Sequence, residues 1–125
     1  MKFKENNRPI YLQIAESICD GVMNGSFREG QRIPSVREYA STVAVNPNTV
    51  MRSYEHLSQK GVITNRRGIG FFVTDDAREI ILNSRRESLL GDKIDDFFHQ
   101  LSLMQVSPSE LAGRYADYLE RKSQK

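Results

Sequence analysis

The sequence predicts a mostly α-helical protein with one small β-hairpin, and three observations support this fold class. Apolar residues recur at helical spacing in three successive segments before residue 60. Two short segments rich in β-branched and aromatic residues follow, separated by a glycine-containing turn. Apolar residues spaced by three and four then resume after residue 75. The chain therefore divides into two predicted parts, residues 1–75 and residues 76–125.

Composition limits the classes of protein to consider. The chain has 125 residues, 38% of them hydrophobic and 27% charged, which is typical of a globular protein with a buried core. No apolar segment approaches the roughly 18 residues that span a bilayer, and no signal segment follows the first lysines. Because Cys19 is the single cysteine, an internal disulfide is excluded. We therefore expect a cytoplasmic protein without membrane association.

Charge is distributed unevenly along the chain. Residues 1–74 carry 10 basic and 6 acidic side chains, a net charge of +4. The remaining residues carry 8 basic and 10 acidic side chains, a net charge of −2. This difference indicates that a polyanion such as nucleic acid would meet the first part of the chain.

Local signals predict the first two helices. Pro9 precedes apolar residues at every fourth position, and Asn24-Gly25 ends that pattern. The segment 26–33 is expected to form a turn and a very short strand. Ser35 begins the second helix, since Glu38 three residues later completes a capping box.

A third helix follows after a tight connection at residues 44–45. Asn46 is a favourable cap, Pro47 suits the first helical position, and Gly61 ends the helix. Residues 62–64 and 71–74 are then expected to pair as a β-hairpin around a turn with two glycines. Two short helices with a tight turn, followed by a hairpin, are the element order of a winged helix-turn-helix domain.

The third helix has the two faces that DNA reading requires. At 100° per residue, Val50, Tyr54 and Leu57 form one apolar stripe, and Asn48, Arg52, Glu55 and Gln59 lie opposite. Asn48 and Arg52 are one turn apart near the start of the helix, where asparagine can bind adenine and arginine guanine. Thr49 lies on the flank, within reach of a phosphate. The alternative interpretation is an ordinary solvated helix face.

These residues resemble the GntR family of transcription regulators. The resemblance covers roughly residues 9–74 and rests on the segments Pro9–Ile14, Gly30–Glu38, Val45–Val50, Gly61–Ile63 and Arg67–Val73, with Tyr54 and Leu57. The Asn46–Val50 string and the short tail resemble the YtrA-like subfamily. The resemblance implies a winged helix that binds double-stranded DNA.

The resemblance also implies which residues contact DNA. Arg37 is similar to an arginine of the family's second helix, and Arg66, Arg67 and Gly68 are similar to a hairpin tip that enters the minor groove. The candidate DNA-binding residues are Ser35, Arg37, Asn46, Asn48, Thr49, Arg52, Arg66, Arg67 and Gly68. The sequence departs from the family pattern at Pro47 and Met51, where some members carry basic residues. Arg52 is therefore expected to contribute more of the base reading.

The tail is predicted to be a dimerisation region. Asp75-Asp76 opens a long helical stretch with a heptad-like seam, which Gly91 is expected to weaken or bend. The candidate dimerisation residues are Leu90, Ile94, Phe97, Phe98, Leu101 and Met104. Ser107 opens a last helix through a capping box with Glu110. The alternative is that the seam folds back onto its own subunit.

The leading hypothesis is a transcription regulator, specifically a repressor, that binds a palindromic operator as a homodimer. A winged-helix module for protein–protein contact is the alternative. No catalytic constellation is recognisable, so the chain is not expected to be an enzyme, and no cofactor is predicted. Asp95 and His99 share a helix face, but an exposed acidic surface explains them better than a metal site. The tail leaves open an unidentified small-molecule effector at the dimer interface.

Overall fold

The computed structural model describes residues 8–124, which form six α-helices and two β-strands. In chain order these are α1 (Ile10–Met23), α2 (Val36–Val43), α3 (Pro47–Gln59), β1 (Ile63–Arg66), β2 (Gly70–Val73), α4 (Ala77–Leu90), α5 (Asp92–Leu103) and α6 (Pro108–Ser123). The chain divides into two compact units after Ser84. The mostly helical class with one hairpin is confirmed.

Three helices and the hairpin enclose the core of the first unit. The buried residues come from α1, α2, α3, both strands and the start of α4, with Ile14, Val50 and Tyr54 fully enclosed. Ala77 and Ile81 of α4 are buried in the same core. The Arg78 guanidinium donates to the carbonyls of Val22 and Met23 at 3.1 and 2.8 Å, at the end of α1. The first turns of α4 thus belong to this unit, beyond the predicted boundary at residue 75.

The predicted helix starts are confirmed at α2 and α3. The Glu38 N–H donates to the Ser35 hydroxyl at 3.1 Å, and the Ser35 N–H donates to the Glu38 carboxylate at 3.0 Å. The Asn46 side chain accepts from the Asn48 N–H at 2.8 Å. Between the helices, Ala44 takes a left-handed conformation with φ of 57°. This three-residue connection fixes α3 against α2.

The Ser35 cap supplies a stability prediction. Ser35→Ala removes the hydroxyl that satisfies a backbone donor at the start of α2, so we expect the free energy of unfolding to fall by about 1 kcal/mol. Urea unfolding followed by circular dichroism measures this change. Ser41→Ala, an exposed position on the same helix, is the matched control. Equal stability of the two variants would contradict the role of the cap.

The hairpin β1–β2, here called the wing, has a short tip. Ile63 pairs with Val73 and Arg66 with Gly70, which leaves residues 67–69 as the loop. The segment before α2 pairs with β2, because the Ile33 N–H donates to the Phe71 carbonyl at 2.9 Å and the Val73 N–H donates to the Gln31 carbonyl at 2.9 Å. The very short strand expected within residues 26–33 is reduced to an isolated bridge between Arg32 and Phe72.

The second unit contains the end of α4 together with α5 and α6. The expected long helix is broken rather than bent: α4 ends at Leu90, and Gly91 caps α5. A Cβ at Gly91 would lie 2.8 Å from the Glu87 carbonyl oxygen, so only glycine fits there. At α6, Ser107 accepts from the Glu110 N–H, whereas the Glu110 carboxylate pairs with Arg114 at 3.3 Å.

Candidate nucleic-acid interface

Helix α3 is held in place by apolar packing and by two buried hydroxyl groups. Val50, Tyr54 and Leu57 are buried, as the helical wheel predicts. The Tyr54 hydroxyl donates to the Pro34 carbonyl at 2.6 Å, and burial raises the pKa of Tyr54. The Ser53 hydroxyl donates to the Tyr11 carbonyl in α1 at 2.7 Å. These bonds join α3 to α1 and to the segment that leads into α2.

The opposite face of α3 is polar and exposed. Its members are Asn48, Arg52, Glu55 and Gln59, the set that the helical wheel predicts. Thr49 is partly exposed on the flank. Asn46 uses its side-chain oxygen as the helix cap, which leaves its amide N–H₂ as the group for an outside acceptor. The start of α3 therefore presents hydrogen-bonding side chains at the positive end of the helix dipole, a combination that favours a phosphate.

Arg52 adopts an orientation that the sequence did not predict. Its guanidinium carbon lies over the ring of Tyr11, 4.2 Å from the ring centroid. His56, one turn further along α3, meets the same ring edge-on, with centroids 6.1 Å apart and planes at 80°. Burial, with a smaller effect of Lys60, lowers the pKa of His56. The lowered pKa favours the uncharged form of the imidazole beside Arg52.

The wing places a second group of basic side chains. Arg67 and Gly68 are exposed at its tip, where Gly68 has a positive φ of 75°. Arg66 stacks instead on Phe72, with its guanidinium carbon 4.2 Å from the ring centroid. At Gly70, with φ of 138°, a Cβ would lie 2.7 Å from the Arg32 Nε. The positive φ is what favours glycine at this position, since the flexible Arg32 side chain could move aside.

The start of α2 supplies the third group. Arg37 is exposed, whereas Ser35 is partly exposed and engaged in the capping box. Hydrogen bonds from the Ser35 backbone and hydroxyl, together with the nearby charge of Arg32, lower the pKa of Glu38. The lowered pKa favours the carboxylate form of Glu38, and Arg37 is the one arginine of α2.

The candidate DNA-binding residues thus fall into three groups within the first unit: the start of α2, the start of α3 and the wing. Sequence reasoning missed Tyr11, Ser53 and Phe72, which hold α3 and the two stacked arginines. The signal that could have identified Ser53 is a polar residue at a position of α3 that the helical wheel places on the buried side. Nothing local to the sequence connects Arg52 with Tyr11 across 41 positions.

The tail residues form a separate apolar surface. Ile94, Phe97, Phe98 and Leu101 of α5, with Leu111 and Tyr115 among the residues of α6, line an open groove of about 770 Å³. Leu90 and Met104 are exposed outside it. In residues 8–124, no group of three or more His, Cys, Asp or Glu side chains could hold a metal ion. Asp95 and His99 therefore do not belong to such a group. Over the same residues, no helix has the length and apolar character to cross a membrane.

A helix-turn-helix with a basic wing defines a DNA-binding regulator class, and comparison with known proteins gives its family. Residues 10–73 match the bacterial regulatory proteins of the gntR family. The chain belongs to this GntR family of DNA-binding transcription regulators, which are not enzymes.

Individual relatives extend the similarity beyond the winged helix. The chain is 32% identical to the uncharacterized HTH-type transcriptional regulator YhcF of Bacillus subtilis over 86% of this chain and 87% of that protein. It is 32% identical to the HTH-type transcriptional repressor YtrA of the same organism over 64% of this chain and 62% of that protein. The resemblance to YtrA-like members is therefore confirmed.

Solved structures support the same assignment. A putative GntR-family transcriptional regulator from Bacteroides thetaiotaomicron matches with a TM-score of 0.81 and 46% identity, over 91% of this chain and 99% of that chain. The AraR DNA-binding domain in complex with operator ORR3 matches with a TM-score of 0.53 and 26% identity, over 59% of this chain and 89% of that chain.

Proposed function

We propose that this regulator binds a palindromic operator as a homodimer in the cytoplasm and represses transcription. The observation that carries the proposal is the exposed polar start of α3, held rigidly by the Ser53 and Tyr54 hydrogen bonds. A rigid helix with Asn48 and Arg52 exposed is what major-groove reading requires. Asn48 reads adenine and Arg52 reads guanine.

Contacts with the DNA outside the base edges of the major groove position the protein on its operator. Arg37 and Arg67 are exposed cations on α2 and on the wing, and Arg66 and Gly68 belong to the same wing tip. Arginine at such a tip favours the minor groove, where the negative potential is strong. Ser35, Asn46 and Thr49 contribute polar groups at the helix starts, which suit phosphate oxygens. These contacts supply affinity that weakens as salt rises.

The tail supports dimerisation. None of the residues of α5 or α6 is buried in the isolated chain. Even the large apolar side chains of Phe97 and Phe98 are 52% and 45% exposed. A contiguous apolar groove of this kind marks an interaction surface. A second copy of the chain would cover both grooves symmetrically and place two copies of α3 on two half-sites. Leu90 and Met104 extend this surface at the ends of α4 and α5.

Repression is the action that the name of one relative supports. The name of the Bacillus subtilis relative YtrA describes a repressor. A small DNA-binding dimer can block transcription by occupying the operator, without contacting the transcription machinery. An unidentified small molecule at the dimer interface would act by favouring one dimer geometry over another.

Selection from a randomised duplex pool at two salt concentrations tests the proposal. We expect an enriched palindrome and binding that weakens steeply with salt. Sedimentation of the protein with the enriched duplex gives the number of chains bound. If no sequence is enriched, base reading is refuted. If, in addition, the chain binds a protein partner with an affinity that does not depend on salt, the winged helix serves protein–protein contact instead.

Replacement of Arg52 tests base reading directly. Arg52→Ala is expected to lower the preference for one base pair in each half-site by about 5- to 150-fold, because a bidentate base contact contributes about 1–3 kcal/mol. Competition binding with single-base variants of the enriched duplex measures this preference. Arg28→Ala, an exposed arginine outside the three groups, is the matched control. Unchanged preference in Arg52→Ala would remove Arg52 from the base-reading set.

A further inference from the structure

Tyr11 in α1 is the residue against which Arg52 is placed. The two residues are far apart in sequence, yet the Arg52 guanidinium carbon lies over the ring, 4.2 Å from its centroid. This distance is within the range of a cation–π interaction. A long arginine side chain otherwise samples many rotamers in solvent, so the ring restricts its position before any ligand arrives.

Tyr11 is itself fixed by α3 at two further points. Its backbone carbonyl accepts the buried Ser53 hydroxyl at 2.7 Å. Its ring meets the His56 ring edge-on at 6.1 Å. Three residues of α3, at positions 52, 53 and 56, therefore contact one residue of α1. The ring is a rigid support rather than a flexible neighbour.

Stacking leaves the recognition chemistry of arginine available. The five N–H donors of a guanidinium lie in its plane, and a single aromatic ring contacts the group from one side. The in-plane donors of Arg52 can still bind guanine O6 and N7 or a phosphate. A stacked arginine is thus oriented without losing its hydrogen-bonding edge.

We infer that Tyr11 is a positioning residue for DNA recognition, which orients the Arg52 guanidinium toward its base. This inference rests on the proposed function of Arg52 and adds a residue of α1 that makes its contribution through Arg52. The aromatic face carries the effect. Tyr11→Phe is therefore expected to behave as the wild type, and Tyr11→Leu is expected to release Arg52 while keeping an apolar side chain of moderate size.

A double-mutant cycle on the duplex enriched by the wild type tests the inference. Tyr11→Leu is expected to lower both affinity and the Arg52-dependent base preference by about two- to fivefold, the range of an exposed cation–π contact. In the Arg52→Ala background, Tyr11→Leu is expected to cause no further loss. Equal losses in both backgrounds would assign Tyr11 a purely structural role and overturn the inference. Tighter binding by Tyr11→Leu would also overturn it, since the ring would then withhold Arg52 from DNA.

A measurement without DNA keeps the inference testable if a variant is destabilised. The side-chain protons of Arg52 should show an upfield ring-current shift in the wild type and in Tyr11→Phe, and lose it in Tyr11→Leu. Absence of that shift from the wild type would overturn the inference. If Arg52→Ala alone leaves the base preference unchanged, or the wild type enriches no sequence, the proposed function fails and the inference fails with it.

Discussion

Replacement of Tyr54 with alanine is expected to lower the free energy of unfolding by about 3–5 kcal/mol. Tyr54 is fully buried between α2, the wing and the rest of α3. Its ring lies 4.9 Å from that of Phe71 at an angle of 79° and 6.3 Å from that of Tyr39. Alanine would leave a cavity bordered by these rings and would also remove the donor to the Pro34 carbonyl.

Tyr54→Phe separates the two contributions. It keeps the ring and removes only the hydroxyl, so we expect a loss of about 1–3 kcal/mol from the unsatisfied Pro34 carbonyl. Urea unfolding at one fixed protein concentration measures both variants, because dimerisation would make stability depend on concentration. Glu55→Ala, exposed on the same helix, is the control and should change stability by less than about 0.5 kcal/mol. A Tyr54→Ala chain as stable as Glu55→Ala would show that this core does not depend on Tyr54.

The order of helices and strands could be predicted from the sequence because local signals specify each element, and the helix that contains Tyr54 is an example. Helix α3 is specified by the Asn46 cap, by Pro47 and by an apolar stripe that includes Tyr54, and all of these are local signals. The Ser35 capping box and the wing turn are local in the same way. The structure confirms each of them at nearly the predicted position.

Features that depend on distant residues could not be predicted. Ser53 is buried because α1 supplies an acceptor 42 positions away. The helical wheel places Arg52 on the exposed face correctly, but it carries no information about which ring the guanidinium meets. Gly91 was expected to weaken or bend a helix, whereas α4 ends at Leu90 and Gly91, where a Cβ would lie 2.8 Å from the Glu87 carbonyl oxygen, caps α5. The burial of Ala77 and Ile81 likewise depends on a core built by other elements.

Phe97→Asp is expected to convert the protein into a monomer and to lower affinity for the palindromic duplex by about 10²- to 10⁴-fold. Phe97 lines the groove between α5 and α6 and is half exposed in the single chain. If a second copy covers it, a carboxylate at this position would be desolvated without a partner, which is strongly unfavourable. Sedimentation equilibrium measures the association, and competition binding measures the affinity.

Two controls make this result specific to dimerisation. Asp96→Ala changes the neighbouring exposed position, which does not line the groove, and should remain associated. A duplex with one half-site should bind Phe97→Asp and the wild-type chain equally, because the recognition helix and the wing lie in the other unit. If Phe97→Asp still associates and binds the palindrome as tightly as Asp96→Ala, the groove does not form the dimer interface. Binding of the palindrome by two copies of the chain would then have to depend on another dimer surface. If it loses the half-site as well, the substitution acts on folding rather than on association.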